Sequence, residues 1–177
     1  RLSKDAVAIQ LPLGFEGTFR GIIDLIEEKA FKFEGEHGEN IIEIPIPEDM
    51  LGQVKEYRLL MLEKAAEASD DLTNKYLSGE TINIDEIKKA IRTLTLKGKM
   101  YPVICGSALS NIGVQQMLDA VVAYLPAPTD LPPVKGINPD TDAEEFRQAK
   151  DDEPFSALAF KLATDPFVGK LIFFRVY

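Results

Sequence analysis

A chain of 177 residues with 45% hydrophobic content can build one ordinary domain or two small ones, and it carries a formal charge of minus nine. That charge argues against a general nucleic-acid footprint, and DNA is not an expected partner. No run of about 18 apolar residues is present, and Arg1-Leu-Ser-Lys-Asp5 lacks the apolar stretch of a signal peptide, so neither membrane spanning nor export is expected.

The charge is unevenly placed. From Glu34 to Glu86 fourteen acids face four bases, a net of minus ten, whereas Ile87 to Leu118 holds Lys88, Lys89, Arg92, Lys97 and Lys99 with no acid. A solvated helical face is the plain reading of such a bias, and an acidic docking surface is the functional one. The single cysteine, Cys105, excludes an intramolecular disulfide and reads as a small buried hydrophobe in a reducing, cytoplasmic setting.

In chain order, Val7, Ile9, Leu11 and Leu13 alternate with Ala8, Gln10 and Pro12, which predicts one strand with one apolar face, ending at Gly14. Ile22–Ile26, Ala30–Phe33 and Ile41–Ile46 read as three more, with a turn at 35–38. Short connections make the four an antiparallel meander. Pro47 then opens a helix in which Val54, Tyr57, Met61, Ala65 and Ala68 recur at helical spacing, with Glu48 and Asp49 in its first turn. Ser69 caps a second, short helix that closes at Gly79. A third starts near Asn83, with Glu86 three positions on and Ile84, Ile87, Ile91 and Leu94 on one face up to Gly98. Residues 1–99 are thus expected to be an α+β unit: a small antiparallel sheet covered on one face by helices.

Tyr101–Cys105 predicts a strand, Gly106–Asn111 a small-residue loop, and Val114, Met117, Leu118, Val121, Val122 and Leu125 the inward face of a helix ended by Pro126. A strand end followed by small residues and a helix is where α/β sheets bind ligands, which makes this stretch the candidate site. The plain reading of Gly106-Ser-Ala108 is a tight strand-to-helix turn. Five prolines between Pro126 and Pro139 predict a stiff, extended boundary, followed by an acidic irregular stretch to Glu153. Phe155–Leu162 and Leu171–Tyr177 predict a hairpin. One strand with one helix cannot bury both sheet faces, so residues 100–126 read as the tail of a larger α/β domain and the chain as a piece of a longer protein.

The ordered run Ile9-Gln-Leu-Pro-Leu-Gly14, Gly21-Ile-Ile-Asp-Leu25, Ile44-Pro-Ile-Pro47, Lys75-Tyr-Leu-Ser-Gly-Glu80, Pro102-Val-Ile-Cys-Gly-Ser-Ala-Leu109, Gly113-Val-Gln115, Leu118-Asp-Ala-Val121, Tyr124-Leu-Pro126, Pro133-Val-Lys-Gly136 and Asp152–Lys161 with Asp165–Lys170 resembles the elongation factor G family of translational GTPases over essentially the whole chain. The resemblance implies that residues 1–99 are the insert subdomain of the GTPase domain, facing the ribosomal stalk protein. It implies that 100–126 are the last strand and helix of the α/β P-loop GTPase domain, and that 127–177 are the linker and first strands of a β-barrel domain. It further implies a parent that binds GTP or GDP with magnesium and works on the ribosome, moving transfer and messenger RNA. Ser107, Ala108 and Leu109 match the family's fifth guanine-nucleotide motif, in which the alanine N–H meets the guanine carbonyl oxygen.

The chemistry of that role is simple. Guanine presents an acceptor at its six-position, a backbone donor selects for it, and a methyl side chain leaves room. These 177 residues hold no G-x-x-x-x-G-K-[ST] loop, since Gly98-Lys99 is followed by Met100 and Gly169-Lys170 by Leu171. Asp49-Met-Leu-Gly52 and Asn74-Lys75-Tyr76-Leu77 imitate GTPase motifs in spacing only, and His37 reads as a solvated turn residue. No catalytic or metal-ligating residue is assigned, no cofactor is expected to bind the fragment, and it is expected to be inactive alone. A module of residues 1–99 that docks a partner without chemistry of its own is the alternative.

Overall fold

The alternating run from Val7 to Leu13 forms two strands in the computed structural model, not the single one expected. The structure describes residues 3–35, 37–138 and 140–177; Arg1, Leu2, Glu36 of the predicted turn and Pro139 of the proline stretch lie outside them. Strand β1 (Ala6–Ala8) pairs in parallel with Tyr101–Val103, while β2 (Gln10–Leu13) opens an antiparallel sheet. Ile9 is the pivot. Its N–H donates to the Val103 carbonyl at 3.0 Å, and its own carbonyl accepts from the Leu25 N–H at 3.0 Å, so one residue is tied to both sheets.

β3 (Gly21–Asp24), β4 (Lys29–Glu34) and β5 (Asn40–Ile44) complete a four-stranded antiparallel meander in the order β2-β3-β4-β5. Asp24 shapes the connection after β3: its Oδ1 accepts the N–H groups of Ile26 at 2.7 Å and Glu27 at 2.9 Å, an Asx turn. Three helices follow. A 3-10 turn at Glu48–Met50 leads into α1 (Leu51–Ala66), and α2 (Asp70–Ser78) begins where Ser69 Oγ accepts the Leu72 N–H. α3 (Ile84–Leu96) starts with a full capping box, Asn83 Oδ1 accepting the Glu86 N–H at 2.9 Å and Glu86 Oε2 accepting the Asn83 N–H at 3.1 Å.

One sheet face packs on these helices: Leu11, Ile23 and Ala30 meet Val54, Met61, Ile87, Ile91 and Leu94, all buried. Tyr57 and Ile84 were expected on that face but are exposed at 36% and 42%. The other face is not bare, as the one-sided expectation had it. Ile22 and Phe33 pack there against Ile112.

β6 (Tyr101–Val103) and α4 (Val114–Tyr124) follow. α4 corrects the expected inward face. Tyr124 is buried in the main core with Ala120 beside it, whereas Met117, Leu118, Val121, Val122 and Leu125 are exposed, Val122 at 81%. The stripe at three- and four-residue spacing that includes Gln116, Ala120 and Tyr124 is the one that meets the protein, since docking is decided by what the preceding loop places opposite the helix. Arg92 on α3 donates to the Ala123 and Leu125 carbonyls and satisfies the last turn of α4.

The chain divides into two compact units, Arg1–Leu125 and Pro126–Tyr177. In the second, the stretch expected to be extended and irregular forms a hairpin, β7 (Val134–Ile137) with β8 (Glu144–Arg147). Asn138 turns it, its Oδ1 accepting the Asp140 and Thr141 N–H groups and its Nδ2 donating to Glu145. β9 (Ala157–Asp165) and β10 (Gly169–Val176) form the expected second hairpin, with a register irregularity at Phe173 and Phe174. The architecture is therefore mixed α and β, with small antiparallel sheets and, among the described residues, four α-helices. No helix of the described residues is long and apolar enough to cross a membrane.

Candidate functional site

The loop between β6 and α4 is a small closed structure. Ser107 and Ile112 exchange two backbone hydrogen bonds, N–H to O at 2.8 and 3.0 Å, and pinch off residues 108–111. Inside the pinch the Ser110 N–H donates to Ser107 Oγ and the Asn111 N–H to the Ala108 carbonyl, both at 3.3 Å, while Asn111 adopts φ +51°. Asparagine tolerates that left-handed conformation better than most residues.

Gly113 joins the loop to α4 at φ +74°. A Cβ there would lie 2.8 Å from the Cys105 carbonyl oxygen and 3.5 Å from Ile22 Cγ2, so both the backbone conformation and the close approach to the sheet call for glycine. The loop is thereby seated on the outer face of the meander through Ile112 and Ile22.

Ile104, Cys105, Ser107, Ala108, Gly113 and Met117 line a cavity of about 240 Å³. Two of the three residues singled out by sequence, Ser107 and Ala108, stand in its wall. The side chain of Leu109 is 99% exposed and does not line it. Among the described residues the N–H groups of Ala108 and Leu109 make no hydrogen bond, so the loop presents two backbone donors. Burial pushes the Cys105 thiol up to about 11, so it is held as the neutral thiol and is no nucleophile near neutral pH.

A second cavity, of about 300 Å³, lies between the meander and α4 and was not foreseen. Gln10, which the alternation assigns to the polar face, is buried here at 6% exposure, and its Oε1 has no hydrogen-bond partner; nor has Gln116 Oε1 from α4. Asp24 and Glu27 also line it, with Lys88 of α3, whose Nζ is 2.7 Å from Glu27 Oε1. That bond holds the Glu27 carboxyl below the usual range, while burial raises Asp24 and pushes the Tyr124 phenol up to about 12. The available signal was a glutamine in an apolar strand, which alternation alone assigns to solvent.

His37 is exposed, its N–H donating to Glu39 Oε2 at 2.9 Å. Asp49 lies in the turn entering α1 and Asn74 within α2, so neither imitated motif forms a loop. Among the described residues no group of three or more His, Cys, Asp and Glu side chains is placed to hold a metal ion.

No family model matches the chain. The crystal structure of ttk003000868 from Thermus thermophilus is similar to it, with a TM-score of 0.73 and 27% sequence identity over 97% of this chain. The match takes in 23% of the Thermus protein, so the chain spans about a quarter of that neighbour's length.

Proposed function

We propose that the chain is an internal piece of an elongation factor G type GTPase, and that the loop from Cys105 to Gly113 is the guanine-recognition edge of its nucleotide site. The observation that carries this reading is the coincidence of the Pro102–Leu109 motif with a strand-loop-helix whose Ala108 and Leu109 N–H groups point no bond at the protein, beside a cavity walled by Ser107 and Ala108. The exposed apolar stripe of α4 supports it, because such a stripe in a parent would be covered by the rest of the α/β domain. On this reading residues 1–99 are the insert subdomain, β6 and α4 end the GTPase domain, and the strands after Val134 open a β-barrel. The parent acts in the cytoplasm on the ribosome.

These residues fit the base end of GTP or GDP; the phosphates and magnesium would be held by a phosphate loop elsewhere in the parent. One backbone hydrogen bond contributes a net of about 0.5–1.5 kcal/mol, against about 8 kcal/mol for micromolar affinity. The 177-residue chain alone therefore gives no saturable heat with GTP. The parent hydrolyses GTP in the presence of ribosomes, and Ala108→Leu weakens GTP binding by crowding the base. Saturable GTP binding by the chain alone, or an unaltered nucleotide affinity in the Ala108→Leu parent, overturns the assignment.

The acid bias favours a second, compatible reading in which residues 1–99 dock a protein. Glu56, Glu63, Glu67 and Asp70 are exposed on α1 and α2, next to exposed Leu59 and Leu60. Reversing Glu63, Glu67 and Asp70 to lysine then weakens association with the ribosomal stalk protein, and unchanged affinity counts against it.

A further inference from the structure

We propose that Gly38, at the entry to β5, is a positioning residue for the loop between β6 and α4: it seats the backbone of Ser110 and Asn111 on the meander and so fixes where Ala108 stands in the cavity wall. The consequence for guanine rests on the nucleotide reading of that loop; the contact itself does not.

Gly38 is buried and adopts φ +60°. A Cβ on it would lie 2.6 Å from the Ser110 carbonyl oxygen and 3.2 Å from that of Asn111. Both neighbours are backbone, so neither can swing aside as a side chain would, and a residue without a Cβ allows the approach. Phe33, near the end of β4, packs with Ile22 against Ile112 at the base of the same loop. The meander thus meets the loop twice, at its base through Phe33 and Ile22 and at its tip through Gly38.

The tip has little else to hold it. The base is tied by the two Ser107–Ile112 backbone bonds at 2.8 and 3.0 Å, within the ordinary range. The Ser110 N–H reaches Ser107 Oγ and the Asn111 N–H the Ala108 carbonyl only at 3.3 Å, beyond the usual span for such bonds. Leu109 and Ser110 are exposed and add no packing. A push on the Ser110–Asn111 peptide therefore passes through the Asn111–Ala108 bond to Ala108. A backbone donor selects the six-position oxygen of guanine only while nitrogen and oxygen stand about 2.7–3.2 Å apart, so a small displacement weakens that choice.

The contact is tested in the 177-residue chain labelled with ¹⁵N. Gly38→Ala is expected to shift the amide signals of Ala108, Leu109, Ser110 and Asn111, whereas Gly79→Ala, with a similar φ of +73° and open space around its would-be Cβ, leaves them in place. Should Gly38→Ala fail to fold, Glu39→Ala decides: this exposed carboxylate accepts the His37 N–H at 2.9 Å across Gly38, and its loss is expected to move the same four signals. The role is tested in the longer parent by the ratio of its affinities for GTP and for 2-aminopurine riboside triphosphate, which keeps the 2-amino group, ribose and phosphates and lacks the six-position oxygen. Gly38→Ala lowers the preference for GTP about two- to tenfold, as loss of one backbone hydrogen bond does. Loop signals that stay in place in the folded variant, equal shifts in Gly79→Ala, or a preference kept in Gly38→Ala overturns the proposal and leaves the guanine reading standing. A parent that does not distinguish the two nucleotides overturns both.

Discussion

Replacing Gly113 with alanine tests whether the loop is clamped to the sheet as described. Two costs act there. An L-residue in the left-handed region at φ +74° costs about 1–2 kcal/mol, and a Cβ held 2.8 Å from the Cys105 carbonyl forces a backbone shift of the kind that overpacking makes, about 1–3 kcal/mol. Gly79 separates the two: it has nearly the same φ, +73°, with nothing within 4 Å of its would-be Cβ. Gly79→Ala therefore reads the backbone term alone, and Gly113→Ala the sum, about 2–5 kcal/mol. The four α-helices of the described residues lie within Arg1–Leu125, so urea denaturation followed by circular dichroism at the helix band reports that unit without interference from the hairpins. Equal destabilisation of the two variants would show that the loop yields at no cost and would refute the clamped geometry.

Three further outcomes follow from the same structure. Asn83→Ala removes the capping-box acceptor of α3 and lowers stability by about 1 kcal/mol in the same assay, more than an alanine at the solvated Asn74. Burial raises the Asp24 carboxyl, so the folded state holds its proton more firmly than the unfolded chain; its contribution is present below the ordinary carboxylate range and is lost as pH rises through the folded value. Asp24→Asn keeps an oxygen for the Ile26 and Glu27 N–H groups, and its stability relative to the unsubstituted chain rises as pH is raised above the ordinary carboxylate range; a pH-independent difference contradicts the burial. With its thiol pushed from 9.0 to about 11, Cys105 alkylates with iodoacetamide about a hundredfold more slowly than an ordinary thiol until urea unfolds the chain, and rapid native-state labelling would contradict this.

Local chemistry made the helices legible in advance. Ser69, Asn83 with Glu86, and Gly79 each act within three or four residues of themselves, so their effect is fixed before any tertiary contact forms. The meander was legible for the same reason: short turns leave adjacent strands only an antiparallel pairing. The loop at Ser107 and Ala108 was marked by its small residues at a strand end, and the structure adds that its donors are unspent and that Leu109 points away from the cavity.

What sequence could not decide were the long-range pairings. Alternation from Val7 to Leu13 is the same whether the run lies in one sheet or is shared between two, and only the arrival of Val103, more than ninety residues later, breaks it at Ile9. The face of α4 was misassigned because amphipathicity ranks hydrophobic stripes without saying which one meets the protein. The β7–β8 hairpin was hidden by prolines and acids that read as irregular chain, although Asn138 supplied the turn. The burial of Gln10 has the same origin: one strand sets its direction, but the helix that closes the cavity around it is encoded more than a hundred residues away.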